Sequence, residues 1–305
     1  MFLPWMISLV LLTQHDETKE ALFLDVHRST VVEVKKEEYA LPFSGVPLAD
    51  VEKMETVLDR IAKAVYLEPK NAAFDYETGR LMQEVPGRKL NRLQMSERLH
   101  SYLYAGGHLH TEVPVASTLP KINSKLLKTL SEKRIGQYTT YYNPGNKNRS
   151  HNIDLAAKAI NNAIVFPGQV FSFNKVVGKR TREKGYLPAP VIVKGELSEG
   201  VGGGICQVSS TLFNAIDRAG LKVVQRYSHS RKVSYVPPGR DATVTWYGPD
   251  FQFQNLYSYP VLIRAKARYG QVFISVHSFA DLDYDPRHVP SASKTLPEES
   301  TVLLP

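Results

Sequence analysis

The chain has 305 residues, 43% of them hydrophobic and 22% charged, with a formal net charge of +8 and a single cysteine. This balance excludes a disordered tail, an internal disulfide and any multi-cysteine zinc site. The length suggests two domains, because single cores stop growing at roughly 250–300 residues. The positive charge suits an anionic partner. No nucleic-acid motif and no dense basic stripe with interleaved aromatics accompanies it, so nucleic acid is not among the expected partners.

Residues 1–20 open with an apolar run from Met1 to Thr13 and turn polar between Gln14 and Glu20. The run has the length of a signal core and is too short to span a bilayer. It reads as an export signal or membrane anchor, although no basic residue precedes it and no Ala-x-Ala site follows. A buried first element is the other reading. Ala21–Val34 then has strand composition. Val51, Met54, Val57, Leu58, Ile61 and Val65 form a helical stripe. The segment from Phe74 to Leu81 alternates around Thr78-Gly79, a hairpin signal. Leu93–Leu103 reads as a short helix and Leu109–Val115 as a strand.

Residues 121–136 form a connector of helical character. Gln137–Tyr142 is a Tyr/Thr strand stopped by Asn143-Pro144-Gly145-Asn146. Ile153, Ala156, Ala157, Ile160 and Ile164 mark a helix that ends at Pro167-Gly168. Strands are expected at 170–173 and 189–193. Val208, Leu212, Ala215, Ile216 and Ala219 share one face of a further helix, closed by Gly220. Short strands are expected at 222–226, 233–236, 242–246 and 251–253. A final hairpin pairs 261–268 with 272–276 across Tyr269-Gly270. The expected fold class is α+β. A small α+β module (21–120) and the connector (121–136) precede a mixed, strand-rich domain (137–277). In that domain a cysteine-bearing helix packs on antiparallel sheet, and a loose polar tail follows (278–305).

The chemistry concentrates at Gly202-Gly-Gly-Ile-Cys-Gln-Val-Ser-Ser-Thr-Leu-Phe-Asn. The pattern puts Cys206 in the first turn of a helix, where unsatisfied N–H groups favour a thiolate. A cysteine nucleophile needs a base, and the base needs an orienter. His229, in Arg226-Tyr-Ser-His-Ser, is the candidate base and Asp241 the candidate orienter. Gly203 and Gly204 would open the backbone to a ligand. With the amide of Cys206 or Gln207 they would form an oxyanion hole, and Ser209 stands beside them as a substrate-binding candidate. Bland alternatives stay open. Cys206 also reads as a small buried hydrophobe, His229 as a strand-end histidine, and Asp241 as a turn residue after Gly239. The glycines also read as a concession to helix-on-sheet packing. His108 and His110 alternate on one strand face, but solvated surface is the better reading than a metal pair. The glycines do not continue into Gly-Lys-Ser/Thr, and neither His-Glu-x-x-His nor Gly-x-Ser-x-Gly occurs. No cofactor and no metal is expected.

Several segments resemble the VanW domain family: Phe171-Ser-Phe-Asn, Val177-Gly-Lys-Arg-Thr, Lys184-Gly-Tyr, the run from Gly202 to Ala215, His229-Ser, and Gly239-Arg-Asp-Ala-Thr-Val. The likeness runs from about Tyr138 to Val276. The preceding module, with Asp75-x-x-Thr-Gly, Glu84-x-x-Gly and Val113-Pro-Val, is more loosely similar to the peptidoglycan-binding domain that often precedes VanW. The resemblance implies an extracytoplasmic cell-wall protein with peptidoglycan as partner, anionic wall polymers as a further partner, and membrane contact through the leader. It also implies L,D-transpeptidase-like acyl transfer on stem peptides, with Cys206 as nucleophile. A non-catalytic accessory protein linked to glycopeptide resistance and a cysteine amidase are the alternatives.

Overall fold

The computed structural model describes residues 21–26, 29–42, 47–107, 109–193 and 196–294, with backbone alone described for 192–193 and 196–197. The leader (1–20), His108 and residues 295–305 lie outside them. The fold is a mixed α+β architecture of several small sheets. Among the described residues no helix is long and apolar enough to cross a membrane.

The chain divides into two compact units. One takes in the residues up to Lys70 together with Val85–Pro120. Ala21–Val26 and Ser29–Lys35 pair antiparallel, so the single expected strand is two, and Ala21–Val26 also pairs in parallel with Leu109–Glu112. Helices Val51–Val65 and Arg92–Ala105 share the core. The stripe read from the sequence supplies Met54, Val57, Leu58, Ile61 and Val65 to that core. Asp50 caps the first helix through the Glu52 and Lys53 amides, and Asn91 caps the second.

The second unit takes in Asn71–Glu84 and Lys121 onward. By sequence the 71–84 hairpin went with the first module, but its side chains serve the second. The Tyr76 hydroxyl donates to Asp154 at 2.7 Å, and Lys266 donates to the Tyr76 carbonyl at 2.6 Å. Asp75 closes the hairpin turn by accepting from Thr78, and Glu84 accepts the Ser124 amide at the start of helix Ser124–Leu130. Two of the segments that carried the looser resemblance therefore do local structural work.

The main sheet of this unit is antiparallel, in the order Lys133–Tyr141, Gln271–Ser278, Val261–Arg268, Ile164–Val165. Helix Ile205–Arg218 packs on its first two strands, and Lys147–Ile160 packs on Val261–Arg268. Gly136 permits the close approach of the cysteine helix, since a Cβ there would sit 2.4 Å from the Ala215 carbonyl. Val208, Leu212, Ala215, Ile216 and Ala219 are buried, as their spacing required. A smaller sheet orders Val170–Ser172, Gln252–Gln254 and Lys222–Gln225, and Pro188–Val193 pairs with Glu196–Val201.

Four further expectations need correction. The helix read from Ile153 to Ile164 ends at Ile160, where Asn161 turns extended, and Ile164–Val165 is a strand paired with Val261 and Leu262. Residues 233–236 and 242–246 are not strands. Pro237-Pro238-Gly239 breaks the run, and side chains of the cysteine helix replace the missing ladder. Nor are residues 278–294 loose. Ser278 ends a strand, Leu282 and Val289 are buried, and backbone carbonyls of this segment accept from Lys133, Arg218 and Tyr138. These anchors lie far away in the chain, so periodicity could not reveal them.

Candidate active site

The site starts at the glycine turn. Gly202 and Gly204 have φ of 89° and 102°, the left-handed region where a side chain is strained. A Cβ on Gly203 would lie 2.6 Å from the Ala189 and Pro190 carbonyls, and one on Gly204 2.9 Å from Arg149 Cγ and Ile153 Cγ1. The missing side chains seat the turn against its scaffold. Asn152, fully buried, pins the turn by donating to the carbonyls of Leu187 and Gly203 while accepting the Leu187 amide.

Cys206 is the second residue of the helix that follows and is partly exposed. Its sulfur lies 3.6 Å from the Val244 carbonyl and 3.8 Å from Thr243 Oγ1. The His229 imidazole is the group whose interaction most favours the charged form of the thiol, and the thiol favours the charged imidazole in return. On its other side, His229 Nδ1 lies 2.7 Å from Asp241 Oδ2, and the His229 backbone amide donates to the same oxygen at 2.6 Å. Asp241 therefore fixes the ring twice. Nδ1 carries its proton toward the carboxylate, and Nε2 is left for the sulfur. The His229 and Asp241 side chains are only 6% and 9% exposed, so their charges interact with little screening.

The protonation balance follows from this geometry. Burial pushes the Cys206 thiol up, but the facing imidazole outweighs burial and holds it below the ordinary thiol range. Burial pushes His229 down, while the sulfur and the Asp241 carboxylate together hold it above the ordinary imidazole range. Burial raises Asp241, and the His229 N–H groups draw it below the usual carboxylate range. The three shifts favour a thiolate–imidazolium pair backed by a carboxylate, at a helix start whose dipole supports the thiolate.

The irregular 226–249 segment carries both His229 and Asp241, and polar residues of the cysteine helix hold it. Ser209 Oγ donates to the Ala242 carbonyl at 2.6 Å, and Ser210 Oγ accepts the Ala242 amide at 2.8 Å. Asn214 donates to the Arg240 carbonyl and accepts from Arg240 Nε, while Arg240 also pairs with Asp217. The guanidinium groups of Arg226 and Arg240 lie 4.9 and 4.5 Å from the Phe213 ring centre. A cavity of about 290 Å³, lined by Ser228, His229, Arg231, Pro238 and Asp241 among others, opens beside the His–Asp pair.

The remaining candidates fall to different places. Gln207 is buried and turned into the sheet, donating to Thr140 and the Tyr141 carbonyl, while its amide donates to the Gly204 carbonyl. Ser209 is buried and serves the scaffold. The Gln207 Oε1 atom is buried without a hydrogen-bond partner. The Cys206 backbone amide, in the first turn of its helix, shows no hydrogen bond to another group among the described residues. His110 bonds Asp25 at 3.0 Å and stacks on Phe23, and the described residues contain no cluster of three metal-ligating side chains.

Sequence reasoning did not single out Ser210, Asn152, Tyr235 or Arg180. Tyr235 is partly buried beside Ser210, and burial together with the Cys206 charge keeps its hydroxyl protonated. Arg180, within the Val177-Gly-Lys-Arg-Thr segment, has both Nη atoms buried without a hydrogen-bond partner. The motif positions of Ser210 and Arg180 were a usable signal. Asn152, a polar residue beside an apolar stripe, gave none.

The family model described as VanW like protein matches residues 148–277, a span that holds the whole constellation. The chain is 50% identical over 292 residues to the uncharacterized protein YoaR of Bacillus subtilis (strain 168), covering 96% of each chain. The chain belongs to the VanW family. It is also 31% identical over 136 residues to the vancomycin B-type resistance protein VanW of Enterococcus faecalis (strain ATCC 700802 / V583), which covers 42% of this chain and 50% of that one. No solved structure matches. Within the VanW-family segment lie the glycine turn, the cysteine helix, the His229 segment and Asp241.

Proposed function

We propose that this VanW-family protein is an extracytoplasmic cysteine acyltransferase that acts on peptidoglycan stem peptides in the manner of an L,D-transpeptidase. The observation that carries the proposal is the grouping of Cys206, at a helix start, with His229 and Asp241: His229 Nδ1 is held 2.7 Å from the Asp241 carboxylate, and the imidazole and thiol favour each other's charged forms. The likeness to a vancomycin B-type resistance protein supports a setting at the cell wall. Peptidoglycan would also be the ligand of the first unit, and the basic surface would attract anionic wall polymers. Residues 1–20 would export the protein or tether it to the membrane.

The thiolate of Cys206 attacks the carbonyl carbon of the third stem residue. The carbonyl oxygen takes the charge and is met by the Cys206 backbone amide. The imidazolium of His229 gives its proton to the amide nitrogen as the C–N bond breaks, and the terminal D-alanine leaves. A thioester remains. Neutral His229 then takes a proton from the side-chain amine of a second stem, whose nitrogen attacks the thioester and releases the thiolate. Asp241 keeps the ring in one tautomer and stabilises its charged form through both steps.

The test is incubation with purified muropeptides, read by mass spectrometry, for the wild type and Cys206→Ser. The proposal expects a thioester adduct on Cys206 and a new cross-link, both lost in Cys206→Ser. Trimmed stems without a cross-link would make the protein an amidase. Absence of both adduct and altered stems from the wild type would leave a binding or accessory role and overturn the enzyme reading.

A further inference from the structure

The Arg180 guanidinium is a charged group of the site that neither a scaffold hydrogen bond nor the Cys–His–Asp array uses. Its side-chain stem lies against the glycine turn, since a Cβ on Gly202 would meet Arg180 Cβ at 3.1 Å and Cγ at 3.3 Å. Its guanidinium lies 5.8 Å from the Phe173 ring centre. Both Nη atoms are buried, and neither has a hydrogen-bond partner. Among the described residues Arg180 makes no ion pair. The acid within electrostatic reach, Asp250, is already committed: its oxygens accept from Ser172 Oγ, the amides of Asn174 and Phe251, and Gln252 Nε2. A guanidinium is a planar fork of donors that stays charged, and an unpaired buried charge is costly to a fold. A native protein retains such a group where something else completes it. Cys206 follows four residues after Gly202, so the Arg180 stem packs on the turn that leads into the nucleophile; burial disfavours the Arg180 charge and the Cys206 sulfur favours it.

We infer that Arg180 binds a carboxylate of the acyl donor, adjacent to the carbonyl that Cys206 attacks. This rests on the proposed acyl transfer and deepens it. The fork geometry suits bidentate recognition of a planar carboxylate, and the Phe173 face backs the guanidinium from one side. Two carboxylates of a stem peptide fit the chemistry: the terminal one on the leaving residue, and the side-chain one on the acyl-side residue. The first makes the protein exo-acting, restricted to the last residue of a stem. The second makes it selective for donors with an unamidated third residue.

Alkylation of Cys206 tests this without any turnover. The thiolate displaces iodide from iodoacetate or iodoacetamide, forming one S–C bond, and intact mass follows the rate. In the folded wild type the ratio of iodoacetate to iodoacetamide rates should exceed that of the urea-unfolded protein by about tenfold, the scale of a charge-assisted hydrogen bond. Arg180→Gln should lower the folded ratio severalfold, the remainder belonging to the His229 imidazolium, and Arg180→Lys should retain more of the preference. An unchanged ratio in folded Arg180→Gln overturns the inference. Should Arg180→Gln not fold, protection of the wild type decides: N-acetyl-D-alanine must shield Cys206 from iodoacetamide better than N-acetyl-D-alaninamide or N-acetylglutamate must do so better than N-acetylglutamine, and equal shielding within both pairs overturns it. Donor tetrapeptides amidated at either carboxylate then tell the two sources apart. A retained alkylation preference without muropeptide turnover would sink the acyl-transfer proposal and leave the carboxylate site standing. Turnover without the preference would do the reverse.

Discussion

Asp241→Asn separates a working Cys–His–Asp array from three residues that merely meet. The substitution keeps shape and one acceptor oxygen but removes the negative charge that His229 Nδ1 faces at 2.7 Å. Both side chains are more than nine-tenths buried, so water replaces little of the lost interaction. A hydrogen bond to a charged group is worth about 1.5–3 kcal/mol, and 1.36 kcal/mol corresponds to one pH unit, so the imidazolium should lose roughly one to two pH units of stabilisation. The sign follows from the observed directions. Cys206 sits below the ordinary thiol range because His229 is charged, and His229 sits above the ordinary imidazole range partly because of Asp241. A weaker imidazolium therefore raises the thiol and lowers the imidazole, which narrows the window in which the ion pair exists. The assay is the rate of Cys206 carbamidomethylation by iodoacetamide from pH 4 to pH 10. The wild type should be reactive well below the pH at which an ordinary thiol ionises. In Asp241→Asn the rising limb should move up by about one to two pH units, so that alkylation near pH 6 slows roughly tenfold to a hundredfold. A variant profile that superimposes on the wild type, with unfolding by urea unchanged, would refute the assignment of Asp241 as the group that sustains the thiolate.

Two further substitutions probe the support of the site. Ser210→Ala removes the oxygen that accepts the Ala242 amide at 2.8 Å and leaves a buried backbone donor unpaired, a cost of about 1–3 kcal/mol. Urea unfolding should show that loss, and Cys206 alkylation should slow because the Asp241 segment loses its anchor; full stability with wild-type alkylation would contradict this role. Asn152→Ala removes three hydrogen bonds at a fully buried position, those to the Leu187 amide, the Leu187 carbonyl and the Gly203 carbonyl. The expected loss is on the order of 3 kcal/mol or more in urea unfolding, and an effect below about 1 kcal/mol would show that the glycine turn holds without it.

What the sequence made legible, and what it did not, divides along the two faces of helix Ile205–Arg218. Val208, Leu212, Ala215, Ile216 and Ala219 recur at helical spacing, so the face that packs on the sheet, and the place of Cys206 in the first turn, could be read directly. The other face is polar and buried too. Ser209, Ser210 and Asn214 bond the backbone of residues 240–242, which has no strand partner of its own. Hydrophobic periodicity treats such residues as a solvated face, and β-propensity treats Ala242–Trp246 as a strand, so both signals err at the same contact. The error has one physical cause. A loop that must aim His229 and Asp241 at a thiol cannot also run as a regular ladder, because ladder geometry fixes side-chain direction at period two. It is held instead by side chains whose partners are carbonyls and amides 26 to 33 residues away. The same logic explains Ser278–Lys294, where Arg218, Tyr138 and Lys133 grip carbonyls that no local pattern marks. The elements that build the core were therefore readable one segment at a time. The contacts that orient the site were not, since each joins a polar side chain to a distant backbone group, and only the quoted motif segments marked where to look.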